Sequence, residues 1–170
     1  MKLLCDHMLG SLARWLRFMG YDTAYPEPTS DRGLIDLARH EGRILLTRDK
    51  ELATRMRDAV QIRSDDLEEQ LQDVARRFRL DLEASMTRCS VCNAELESVR
   101  KPQVKGRVPD GVYARQEEFW RCASCGRFYW HGSHWDNVTV RLRRLGAAGA
   151  HEGGPPVDQS PAPDSRVPPG

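Results

Sequence analysis

The sequence predicts an α/β protein: a parallel sheet flanked by helices, followed by a small C-terminal zinc ribbon and a short helix. Three observations lead there. The first 80 residues or so alternate short apolar runs with helical patterns. The runs that read as strands are apolar almost without interruption, which marks strands buried on both faces, as in a parallel sheet. Two CxxC pairs, Cys89-Ser90-Val91-Cys92 and Cys122-Ala123-Ser124-Cys125, follow at a separation that suits one zinc ion.

Each element has its own signal. Leu3-Leu4-Cys5 reads as a buried strand, and Met8, Leu9, Leu12, Leu16 and Met19 then recur at helical spacing up to the stop at Gly20. Asp22 to Tyr25 reads as a second strand, closed by Pro26 and Pro28. Leu34, Ile35 and Ala38 mark a helix that ends before Gly42. Ile44-Leu45-Leu46-Thr47 is the clearest strand, and Leu52 and Met56 form the apolar face of the next helix. Ala59 to Arg63 is a fourth strand, followed by a helix with Leu67, Leu71, Val74, Ala75 and Phe78 on one stripe. Ser133 to Asp136 matches a capping box ahead of Val138, Leu142 and Leu145. Arg141, Arg143 and Arg144 would close that helix, where cations complement the macrodipole. The expected organisation is a domain over 1–84, a ribbon with its terminal helix over 87–146, and a Gly/Pro-rich disordered tail over 147–170.

Charge is unevenly spread. Residues 1–86 carry 14 Lys/Arg against 16 Asp/Glu, whereas residues 87–146 carry 11 against 6. A basic ribbon beside an acidic domain suits a polyanion held near metal-binding carboxylates. No run approaches the roughly 18 apolar residues of a membrane span, and the N-terminus does not read as a signal peptide. Reduced CxxC pairs favour a reducing, cytoplasmic setting.

Asp6 and Asp49 stand at or just beyond the ends of two apolar strands, Asp31 opens a helix, and Asp65 and Asp66 follow the fourth strand. Ligands of open parallel sheets bind at the carboxyl ends of the strands. Carboxylates gathered there call for a divalent cation, and Mg²⁺ or Mn²⁺ suits oxygen ligands and phosphate. Helix capping is the competing explanation for each acid, most directly for Asp65 and Asp66, since Glu68 and Glu69 complete capping-box spacings. On spacing alone both explanations stay open. Arg14 and Arg17 fall on the polar side of the first helix, and Arg14, with Arg48, is a candidate contact to substrate phosphate.

The four cysteines read as a closed structural zinc site, and Asn93 and Gly126 after them can take the left-handed backbone of a knuckle. A pair of redox dithiols fits less well, because neither CxxC has a thioredoxin-like context. With four thiolates available, His131 and His134 are not needed as ligands, and Cys5 reads as a small buried hydrophobe. Trp120, Phe128, Tyr129 and Trp130, interleaved with Arg121 and Arg127, could stack bases or simply fill a small core.

The stretches Asp6-His7-Met8-Leu9-Gly10-Ser11-Leu12-Ala13-Arg14-Trp15-Leu16-Arg17, Gly42 to Asp49, Glu69-Gln70-Leu71, Trp120-Arg121-Cys122 and Tyr129 to Trp135 resemble the Mut-seven C-terminal RNase domain family. The resemblance spans about residues 2 to 145. It implies a PIN-like nuclease domain with a four-cysteine zinc ribbon, and a metal-dependent ribonuclease acting on RNA. Asp6, Asp31 and Asp49 fall on the family's acidic positions, with Asp66 as a fourth. Homodimerisation is a further expectation, since PIN-like folds often pair with themselves. Two rival functions fit the same residues: a non-catalytic RNA- or ribosome-binding zinc-ribbon protein, and a small-phosphoester hydrolase. The second lacks the expected DxD, because Asp6-His7-Met8 has no second acid.

Overall fold

The computed structural model describes residues 1–150. Four parallel strands, β1 (Lys2–Cys5), β2 (Asp22–Ala24), β3 (Ile44–Thr47) and β4 (Ala59–Gln61), form one sheet in the order β2-β1-β3-β4. Helices α1 (Gly10–Phe18), α2 (Asp31–Glu41), α3 (Lys50–Thr54) and α4 (Leu67–Phe78) connect and cover them. A second, antiparallel sheet has the order β5-β6-β7, from β5 (Leu96–Val99), β6 (Phe119–Cys122) and β7 (Phe128–Tyr129). A short helix α5 (Asp110–Arg115) lies in the β5–β6 connection, and α6 (Ser133–Ala150) follows the second sheet.

The continuous apolar strands are explained by two cores, one on each face of the parallel sheet. Leu3, Cys5 and Leu46 point to one face, where they meet Leu12 and Leu16 of α1, Leu71 and Val74 of α4, and Val138, Leu142 and Leu145 of α6. Leu4 and Leu45 point to the other, against Leu34, Ile35 and Ala38 of α2 and Leu52 of α3. Full burial of a Leu side chain is worth about 1.5–3 kcal/mol, so these strands are held by side chains above and below. The antiparallel sheet has a smaller core of Val104, Val108 and Phe119. In so small a body, a metal held by the cysteines would supply what burial cannot.

Helix α1 stops at Gly20, whose φ of +86° suits glycine, and a Cβ there would lie 2.6 Å from Thr87 Oγ1. The chain leading to the first CxxC passes through that gap, with Ser85 N donating to Phe18 O at 2.7 Å.

Helix α6 differs from expectation in two ways. It runs on to Ala150 rather than ending at Gly146, because Ala147, Ala148 and Ala150 are strong helix formers. The arginines at 141, 143 and 144 therefore sit within the helix, and a macrodipole role at its end does not apply. Arg141 instead pairs with Glu68 of α4 at 2.8 Å and lies over the Trp15 ring of α1 at 5.1 Å, which fastens α6 to the parallel-sheet core. Residues 151–170 of the expected tail lie outside the described residues. None of the described helices is long and apolar enough to cross a membrane.

Candidate active site and metal centre

The two CxxC turns have matching geometry. Cys92 N donates to Cys89 Sγ and Cys125 N to Cys122 Sγ, each at 3.4 Å. Asn93 N donates to Cys89 O and Gly126 N to Cys122 O, each at 2.9 Å. Asn93 and Gly126 both have left-handed backbones, with φ of 70° and 73°. The four Sγ atoms lie within 4.8 Å of one another, with Cys89–Cys125 at 3.6 Å and Cys92–Cys122 at 3.3 Å. A disulfide would need about 2.05 Å. A tetrahedron with zinc–sulfur bonds of about 2.3 Å has edges of about 3.8 Å, so this donor set fits zinc.

The surroundings of Cys89 point the same way, whereas burial pushes the more exposed Cys92 thiol up. Burial opposes ionisation of Cys89, but the Tyr129 hydroxyl at 3.0 Å and the backbone N–H groups of Cys92 and Val91 outweigh it and hold the thiol down at about 6. Burial, reinforced by the neighbouring Asp6 carboxylate, pushes the Cys5 thiol far up, in keeping with a small apolar side chain. Four thiolates on one zinc ion leave a net negative charge. Arg17 lies against that knuckle: only 5% exposed, it donates from Nη1 to Val91 O at 2.7 Å and Ser90 O at 3.3 Å, and from Nε to Thr23 O at 2.8 Å. Arg17 is therefore a tether between α1, β2 and the first knuckle. Three carbonyls engage its Nε and Nη1.

A second polar tie covers the open edge of β2. Asn93 accepts from Thr23 N at 3.0 Å and donates to Asp22 Oδ1 at 2.7 Å. Asp22 also accepts from Arg43 Nη1 at 2.7 Å, and Arg43 pairs with Glu41 at 2.6 Å. Burial would raise the Asp22 pKa, but the bonds from Arg43 and Asn93 prevail and hold it below the usual carboxylate range. The knuckle residue thus occupies groups that an edge strand would otherwise leave free for pairing.

The acids at the carboxyl edge of the parallel sheet are built differently. Asp6 is 2% exposed and follows β1. Its Oδ1 accepts from Met8 N at 2.8 Å, capping the 3-10 turn at His7–Leu9. Its Oδ2 accepts from the Thr47 hydroxyl and from Arg48 N at 3.2 Å. Thr47 Oγ1 in turn accepts from Asp49 N at 3.0 Å, so one hydroxyl links the acids after β1 and β3. Asp49 Oδ1 accepts from Glu51 N at 2.7 Å and Leu52 N at 3.0 Å, capping α3. Asp66 Oδ1 caps α4 in the same way, from Glu68 N at 2.8 Å and Glu69 N at 3.0 Å. Both caps use Oδ1, and Oδ2 of Asp49 and of Asp66 has no hydrogen bond among the described residues. Capping and metal ligation are therefore compatible at these positions, one oxygen serving each.

The remaining predicted residues scatter further. Asp31 begins α2 and pairs with Arg55 at 2.9 Å, both about half exposed. Arg48 pairs with Asp65. Arg14 is exposed and faces the first knuckle, lining the same hollows as Ser90 and Val91. Among the described residues only the cysteines bring three or more candidate ligand atoms close together; the edge acids do not. His131 lies between Trp120, tilted against it at 4.9 Å, and Trp135, stacked on it at 5.0 Å; the His134 side chain lies outside the described residues. Thr47 and the tethering role of Arg17 are what the sequence reading missed. A Thr-x-Asp step at the end of an apolar strand was the available signal for Thr47.

Comparison with known proteins gives one family. The family model described as Mut7-C RNAse domain matches residues 1–142. No curated protein and no solved structure matches the chain.

Proposed function

Because the chain belongs to the Mut7-C RNAse domain family, we propose that it is a metal-dependent ribonuclease. Hydrolysis of RNA phosphodiester bonds takes place at the carboxyl edge of the four-stranded sheet. One observation carries this reading: Asp6 and Asp49 follow β1 and β3, the neighbouring strands at which the order β2-β1-β3-β4 reverses. Such a switch point is where open parallel sheets bind ligands.

Asp6 and Asp49 are the proposed ligands of Mg²⁺ or Mn²⁺, Asp49 through its free Oδ2 and Asp6, whose two oxygens both accept hydrogen bonds, through a remaining lone pair. Hard carboxylate oxygens suit both ions, and Mg²⁺ takes one or two carboxylates while keeping several waters, so a wide ring of acids is not required. A bound divalent ion acidifies water and stabilises charge on the leaving oxygen. The protein's own share is alignment: Thr47 fixes the Asp6 carboxylate and the Asp49 backbone relative to each other. Asp31 completes the ligand set or orients water, giving up an exposed ion pair that is worth no more than about 1 kcal/mol. Asp66 supports a second ion through its free oxygen, and Arg14 and Arg48 contact phosphate.

The division into a nuclease domain over 1–84 and a ribbon with helix over 87–146 belongs to the same reading. Four thiolates leave zinc no open position, so the ribbon serves stability and substrate binding rather than chemistry. Reduced thiolates suit a cytoplasmic setting.

Cleavage of an RNA and DNA panel in Mn²⁺, in Mg²⁺ and with no divalent ion tests the proposal. RNA cleavage that needs the ion and is lost in Asp6→Asn is the expected result; cleavage that persists in both controls removes it. The competing reading, a non-catalytic RNA- or ribosome-binding protein, draws on the capping bonds of Asp6, Asp49 and Asp66. It predicts binding without cleavage in every metal.

A further inference from the structure

Two surface hollows meet beside the first zinc knuckle. One, of about 540 Å³, begins at Gly10, Ser11 and Tyr25, where the Tyr25 hydroxyl donates to His7 O at 3.0 Å, one residue from Asp6. The other, of about 480 Å³, runs along the ribbon past Arg107, Arg127 and Trp130. Arg14 and Val91 line both, and Val91 is 43% exposed, an apolar side chain on an otherwise polar turn. No acidic residue lines either hollow. Arg14, Arg107 and Arg127 are exposed, and none of their guanidinium groups has a hydrogen-bond or ion-pair partner among the described residues, unlike those of Arg43, Arg55 or Arg141.

We propose that these hollows form one groove that holds single-stranded RNA and leads it from the ribbon to the carboxyl edge of the parallel sheet. The proposal rests on the ribonuclease reading and names the surface that would deliver its substrate. The three arginines match a phosphate chain, and their lack of acidic partners means that no ion pair must break for RNA to bind. Trp130, half-buried in the wall, offers a ring face. Such a face stacks an unpaired base, whereas bases within a duplex are already stacked on each other. The groove also accounts for Arg14, which the α1 sequence assigns to phosphate but which faces the ribbon rather than the acids.

The test is fluorescence anisotropy with a single-stranded RNA of about 12 nucleotides, using the full chain with zinc retained in an Asp49→Asn background. Arg107→Ala/Arg127→Ala is compared with Arg143→Ala/Arg144→Ala, whose residues are exposed on α6 and line neither hollow. The groove pair is expected to weaken binding on the order of tenfold and to reduce the log–log salt slope by about 1.4, from about 0.7 for each single-strand phosphate that is no longer neutralised. The α6 pair is expected to match the parent. Equal binding by the two pairs overturns the groove. So does duplex RNA that binds as tightly and responds alike, or an acidic peptide that competes as well as RNA. Dependence on Arg107 and Arg127 in a protein that cleaves nothing keeps the groove and removes the nuclease reading; cleavage by a protein whose binding ignores both arginines does the reverse.

Discussion

Asp6 and Asp49 follow neighbouring strands and are held in opposite ways. Asp6 is buried and has both oxygens engaged, by Met8 N, Arg48 N and the Thr47 hydroxyl. Asp49 is exposed and has one oxygen engaged. Substitution should therefore separate stability from chemistry. In Asp6→Asn the amide nitrogen cannot accept a bond, so at least one buried N–H or O–H is left without a partner. The expected cost is about 1–3 kcal/mol, read by denaturant unfolding, alongside any fall in activity. Thr47→Val tests the link between the acids. It should cost a similar ~1–3 kcal/mol, with Thr47→Ser recovering most of it. A Thr47→Val protein as stable as the wild type would show that the hydroxyl bridge holds nothing.

At the scale of elements, the notable contact is the one between the first zinc knuckle and the edge of the parallel sheet. Asp22, Arg43 and Asn93 make it on one side and Arg17 on the other. Asp22 has a depressed pKa, so its folded state binds a proton less readily than the unfolded chain. It thus contributes stability above the unfolded value of about 4, and that contribution disappears as pH falls through its lower folded value. Asp22→Asn should lower the melting temperature at pH 7, and the gap to wild type should narrow as the pH drops below about 4. A gap that stays constant with pH would remove the charge from the explanation. Arg17→Lys should also destabilise, because an ammonium cannot reproduce a planar fork that spans three carbonyls.

The sequence was informative about elements and poor about this contact, for a physical reason. Leu3, Leu4, Leu45 and Leu46 need burial on both faces whatever covers them, so their apolar runs announce strands. Ends of strands follow from the same pattern, which is why Asp6 and Asp49 could be named. Arg14 and Arg17 lie three positions apart on α1 and look alike as solvated charges. Their difference is set by Ser90 and Val91, more than seventy residues downstream. Likewise α6 carries a readable apolar stripe, but nothing local says that Glu68 and Trp15 receive it.

For the whole molecule, the cysteine cluster and the proposed carboxylate site lie on different sheets. The thiolate site is closed and joins chain segments; the carboxylate edge lies at the switch point of the other sheet. Chelation should release one zinc per chain and raise hydrogen exchange first in β5, β6 and β7. The amides of β1 and β3, held between two cores, should stay protected longest. Uniform deprotection across both sheets would show that zinc supports the entire fold.

In the proposed site, Oδ2 of Asp49 serves chemistry while Oδ1 serves the helix. Asn is itself a good N-cap, so Asp49→Asn keeps the cap and removes the charge. The decisive measurement is single-turnover RNA cleavage in Mn²⁺ by this variant, at equal zinc content and with its melting temperature checked. The expected result is an unchanged melting temperature and a cleavage rate reduced by about a hundredfold or more, on the scale of removing one group that stabilises transition-state charge. A rate within a few-fold of wild type, in a variant just as stable, would contradict it.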